Sequence, residues 1–178
     1  MRSKHSGDQK AQTKQKELHV HNLLQTHNMP FAYQKFIPID GCGLQGGTKH
    51  AFLDFVIPRR FCTVLLEKDE NQHKYYTEGC DLAREMNVLA SIAMGSADKV
   101  VFLRYNPDVF RVGGHTQRTS RKQREDKLVQ VLRDLDQELE THYARLFLFF
   151  DRQSPESVLP LIADGWPDQV KEISRCLA

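Results

Sequence analysis

The chain has 178 residues, 40% of them hydrophobic and 27% charged, with a formal net charge of +2. That length suits one domain with a substantial core, and that balance excludes wholesale disorder. The near-neutral charge singles out no class of partner, and four scattered cysteines without a Cys-x-x-Cys pair argue against a structural zinc site and fit reduced thiols.

Residues 1–15 are polar and basic and lack apolar periodicity, which reads as a flexible arm ahead of a single domain over 16–178. From Glu17 the spacing of Val20, Leu23 and Leu24 predicts a helix to about His27, with Asn28 suited to its C-cap. Phe31–Ile37 reads as a strand. Gly41, Gly43, Gly46 and Gly47 mark a loop, without the Gly-Lys-Ser/Thr of a phosphate-binding loop. Two strands, about His50–Ile57 and Cys62–Asp69, follow, joined by a turn over Pro58–Phe61. Next come a helix from about Gln72 to Ala93, a strand over Lys99–Tyr105 and a hinge at Gly113–Gly114. Leu128, Val131, Leu132, Leu135 and Leu139 predict a helix over Ser120–His142, and Arg145–Asp151 reads as a central strand. Ser154-Pro155-Glu156 predicts a short helix to about Ala163, and a last helix or docked tail follows from Trp166.

Meander strands followed by crossover helices imply an α/β fold, a mixed central β-sheet flanked by helices. The longest apolar run, Leu146 to Phe150, is too short to span a bilayer, and the basic N-terminus shows no signal peptide. An intracellular protein, cytoplasmic or nuclear, with no membrane partner is therefore expected.

Asp54 and Glu67 stand inside two apolar strands. A carboxylate buried there is costly unless something compensates it, and a divalent cation with a preference for hard oxygen ligands does so. Alternation puts Phe52, Asp54 and Val56 on one face and Leu53, Phe55 and Ile57 on the other, while Glu67 and Asp69 share a face that Lys68 leaves. Asp54 and Glu67 converge if their strands are neighbours. His73, just beyond, can pass a proton or cap the next helix. Glu17 can enter the site as a further carboxylate or complement its helix dipole. Gln72 can contact a phosphate or stabilise a helix start.

Asp54 followed by Glu67-x-Asp69, with Glu17 on the preceding helix, resembles the strand-borne core of the PD-(D/E)XK nuclease superfamily over about residues 17–105. The histidine after the second strand is similar to the very-short-patch repair and EDxHD homing endonucleases. Asp69 stands where the superfamily usually has a lysine, and the zinc-binding residues of the very-short-patch group are absent.

The resemblance implies a restriction-endonuclease-like core and a metal-dependent DNA endonuclease, with a homing role as one branch. Glu17, Asp54, Glu67, Asp69 and His73 would be the catalytic set. Asp54, Glu67 and the carbonyl of Lys68 would hold Mg²⁺ or Mn²⁺, and His73 would take the proton-transfer role. The partner would be double-stranded DNA, contacted by Arg59, Arg60, Gln72, Arg118, Arg121 and Lys122. Cutting both strands would require a homodimer with two-fold symmetry. The alternatives are a catalytically inactive nucleic-acid-binding module of the same fold, a hydrolase of small phosphorylated substrates, and a purely structural pair of acids.

Overall fold

A computed structural model describes residues 5–39, 50–70, 78–93, 99–136, 143–151 and 161–162. Helix α1 (His5–Thr26) begins well before Glu17, so from His5 onward the expected flexible arm is helical. Gln, Lys and Ala dominate residues 9–16 and are good helix formers, so propensity extends the helix where apolar periodicity gives no sign of it. The C-terminus of α1 is a Schellman motif. Asn28 takes φ 53, its N–H donates to Gln25 O at 3.0 Å, and Met29 N–H donates to Leu24 O at 3.0 Å.

Strand β1 (Ala32–Pro38) forms an antiparallel pair with β2 (His50–Pro58), and β2 turns back antiparallel onto β3 (Cys62–Lys68). The β2–β3 turn closes with Arg59 N–H on Cys62 O at 2.8 Å. Helix α2 (Glu78–Ala93) carries the chain to β4 (Lys99–Tyr105), parallel to β3. A small hairpin, β5 (Arg111–Val112) with β6 (His115–Thr116), and helix α3 (Arg121–Asp134) lead to β7 (Tyr143–Leu148), parallel to β4. Strand β8 (Leu161–Ile162) pairs antiparallel with β7, so the six-stranded mixed sheet has the order β1-β2-β3-β4-β7-β8.

The expected α/β architecture is present, with differences at its joints. Gly113 and Gly114, at φ 55 and 79, form the tight turn between β5 and β6 rather than a hinge, because two consecutive positive φ values match the twist of a hairpin. Residues 161 and 162, expected at the end of a helix, are a strand instead, held by register with Leu146 and Phe147. Strand β7 stops at Leu148 because Phe149 turns to φ 63, where its carbonyl accepts from the Asn106 side chain at 2.7 Å.

Helices cover both faces of the sheet. Val20 and Leu24 of α1 and Leu128, Val131 and Leu132 of α3 pack on Phe55, Ile57, Val64, Leu66, Val101 and Leu103. On the other face Val88 of α2 packs with Leu53, Leu65, Val100 and Phe102. Strand β4 is therefore buried on both sides, as its unbroken apolar run before Arg104 requires. Helix α3 starts with a full capping box. The Ser120 side chain accepts from Gln123 N–H at 3.2 Å, and the Gln123 side chain accepts from Ser120 N–H at 2.9 Å. No helix among the described residues is long and apolar enough to cross a membrane.

Candidate active site

The candidate site lies where β2 parts from β3. Their ladder pairs Phe55 with Leu66 and ends at Pro58 with Thr63, so Asp54 and Glu67 stand just beyond its last rung. There the Asp54 carboxylate takes the place of a backbone acceptor: its Oδ2 accepts from Lys68 N–H at 2.9 Å.

On the other side of β2, Gln34 of β1 adopts φ 50, between the paired positions Tyr33–Phe55 and Lys35–Leu53. This irregular step changes which layer the side chains join. Ala51 and Leu53 pack on the α2 side, whereas Phe55 and Ile57 pack on the α1 and α3 side. The expectation that Leu53, Phe55 and Ile57 share a face is thus corrected. Simple alternation fails because a left-handed residue interrupts the pleat.

Arg84 of α2 fills the mouth of this fork. Its guanidinium donates to both Glu67 oxygens, at 3.2 and 3.3 Å, and to the Phe52 carbonyl at 2.8 Å. Burial raises the proton affinity of Glu67. Arg84 opposes that rise and the charges of Asp54 and Asp69 add to it, pushing the carboxyl up to about 7. Asp54 is raised as well, by burial first and then by Glu17 and Asp69, against the Lys68 N–H that favours the anion. The acids therefore sense one another across the fork.

Glu17, from α1, is buried and accepts from the Gln34 side-chain amide. The Tyr33 hydroxyl is shifted up by burial and then by the charge of Glu17. Asp69 is fully buried and paired with Arg104 of β4, which also donates to Glu85 of α2 at 3.1 Å. Glu85 in turn binds Arg145 of β7 at 2.7 Å and accepts from Tyr143. Lys68 leaves on the α1 side, as alternation requires, with Nζ 3.1 Å from Glu70. Lys16 of α1 meets Asp108 at 2.6 Å.

Asp54, Glu67 and Asp69 are thus gathered at one end of β2 and β3, and Glu17 of α1 comes close enough to raise Asp54. His73 and Gln72 lie outside the described residues. Arg59 and Arg60 sit in the turn at the far end of the hairpin, beyond Pro58, which is itself about 13 Å along the strand from Asp54 at ~3.3 Å per residue. Arg59 is paired with Asp136, and Arg60 donates its N–H to the same carboxylate at 3.1 Å and lays its guanidinium over Phe61. Arg118 is exposed; Arg121 pairs with Glu125 at 3.4 Å and Lys122 with Asp126 at 2.8 Å. Arg121 also approaches His19 of α1 at 3.5 Å, half a turn from Glu17.

Sequence reasoning did not foresee the guanidinium partners. Arg104 was detectable as a charge ending an apolar strand, and Glu85 as an acid on the packed side of α2. Their pairing depends on tertiary placement.

Among the described residues no three His, Cys, Asp or Glu side chains are grouped to hold a metal. Within the fork both Glu67 oxygens accept from Arg84 and one Asp54 oxygen accepts from Lys68 N–H, so a cation held by these two carboxylates would have to displace the Arg84 guanidinium from Glu67. Compared with known proteins, the chain matches no family model, no curated protein and no solved structure.

Proposed function

We propose that this chain is a metal-dependent DNA endonuclease that hydrolyses phosphodiester bonds on a restriction-endonuclease-like core, on the resemblance of its acids to those of the very-short-patch repair and EDxHD homing endonucleases. The reading rests on one observation: Asp54 and Glu67 stand together where β2 and β3 fork, burial makes both reluctant to ionise, and neighbouring acids add to it, Asp54 and Asp69 at Glu67 and Glu17 and Asp69 at Asp54. Such a pair is a receptor for positive charge. The position of Glu17 on α1 and the mixed sheet bearing the acids on adjacent strands support it.

Asp54, Glu67 and the Lys68 carbonyl would hold Mg²⁺ or Mn²⁺, which when bound supplies a more acidic water and counters charge on the phosphoryl group. Arg84 spans Glu67 and the Phe52 carbonyl. On releasing a Glu67 oxygen its guanidinium is free to neutralise a non-bridging phosphate oxygen. Proton transfer falls to His73 by its place after β3. Arg118, Arg121 and Lys122 contact the backbone of double-stranded DNA, the latter two by exchanging their own-helix acids for phosphates. Double-strand breaks require two copies related by a two-fold axis.

A second reading is favoured by the same guanidiniums. With Arg84 on Glu67 and Arg104 on Asp69, the acids are already compensated, as in a binding module without catalysis. Plasmid nicking by the purified chain separates the two. The nuclease requires nicking that depends on a divalent cation and is abolished by Asp54→Ala. If wild type and variant only retard DNA on a gel, the binding module stands.

A further inference from the structure

The outer end of the β1–β2 hairpin carries an aromatic cluster that the core does not use. Phe36 is 51% exposed and Phe52 is 49% exposed, and His50 is exposed beside them. Phe36 pairs across the strands with Phe52, ring centroids 5.5 Å apart, and stacks on His50 at 5.4 Å. His50 meets Phe52 edge to face at 5.5 Å. A cross-strand pair accounts for these mutual contacts. It does not account for three rings on a surface that no described element covers.

Their side of the sheet is fixed by their neighbours. Ala51 and Leu53 pack toward Val88 of α2, so His50 and Phe52, alternating with them, project on the α1 side, and Phe36 opposite Phe52 does likewise. Glu17 of α1 approaches the same edge through Gln34. Phe52 lies two residues from Asp54, about 7 Å along the strand at ~3.3 Å per residue. Its carbonyl is held by the guanidinium that holds Glu67. Lys14, exposed on α1 one turn before Glu17, adds a cation on this side.

We infer that Phe36, His50 and Phe52 form a stacking platform for an unpaired nucleobase, placing the adjoining phosphodiester at the β2–β3 fork. The second half of that statement rests on the nuclease reading; the platform itself does not. Every base has a π-face, so the platform is indifferent to sequence, and the base it takes comes from a single strand or from a locally opened stretch of the duplex.

The test is fluorescence anisotropy with end-labelled oligothymidylate and with a duplex of equal length, in EDTA so that nothing is cut. Phe36→Ala and Phe52→Ala are each expected to weaken oligothymidylate binding roughly tenfold, the effect of losing one stacked base. Phe52→Trp retains binding, and Val109→Ala, at a still more exposed apolar side chain elsewhere, leaves it unchanged. Duplex affinity is expected to be insensitive to all four. Unchanged oligothymidylate affinity in the Phe→Ala variants overturns the inference. So does a shift from dimer to monomer on sedimentation with no change in binding, which would make the patch a contact between copies. Wild type that binds through Phe52 yet never nicks DNA retires the nuclease and keeps the platform; wild type that nicks but ignores Phe52 does the reverse.

Discussion

Glu67 carries a pH signature that can be read without any substrate. Its ordinary pKa of 4.5 is pushed up to about 7 in the folded chain, by burial first and by Asp54 and Asp69 with it. A raised pKa means that the folded state holds the proton more tightly than the unfolded one. The contribution is therefore complete below pH 4.5 and is lost as pH rises through about 7. The protein without added metal is expected to lose about 2.5 kcal/mol of urea stability between pH 5 and pH 8 on this account, and Glu67→Gln to flatten the fall. The proposed metal site carries a further expectation: added Mg²⁺ should restore stability chiefly on the alkaline side, where the carboxylate is already ionised. The acids themselves were legible in the sequence, because a charge inside an apolar strand stands out from its neighbours. Their compensation was not: Arg84 and Arg104 come from other elements, and only the folded chain shows which acid each one meets.

Helix α2 is tied to the sheet by charge as much as by packing. Glu85, almost fully buried, receives Arg104 of β4 and Arg145 of β7, so one carboxylate links a helix to two strands. Glu85→Ala would leave both guanidiniums short of an acceptor and is expected to cost about 3–5 kcal/mol, seen as a lower urea midpoint. Glu85→Gln, which keeps a hydrogen-bonding oxygen, should cost less. At this scale the sequence was most informative where periodicity is strong. Strand β4 has the expected bounds, and β2 and β3 differ from theirs by one residue, because alternation or an apolar run meets Pro58, Lys68 and Asn106 at their ends. It was least informative where structure comes without periodicity. The first half of α1 is held by propensity alone, β8 exists only through its register with β7, and the face change at Asp54 depends on the backbone of Gln34.

Across the whole molecule the net charge is only +2, so the proposed attraction to DNA would depend on where the charges sit. The exposed basic residues before and within α3, Arg118, Arg121 and Lys122, are the candidates. Replacing all three with glutamine should weaken DNA binding and lower the slope of log affinity against log salt by about two to three. Titrations at several salt concentrations measure that slope directly. The sheet meanwhile divides into unequal parts: β3, β4 and β7 are clamped between helices, while β1 and the outer half of β2 continue past the last rung shared with β3. That overhang is braced from α2: Leu53 packs on Val88, and Arg84 holds the Phe52 carbonyl and the Glu67 carboxylate with one guanidinium. The Phe36–Phe52 pair at the rim and the acid on β3 therefore share a single anchor, and Arg84→Ala would loosen both together.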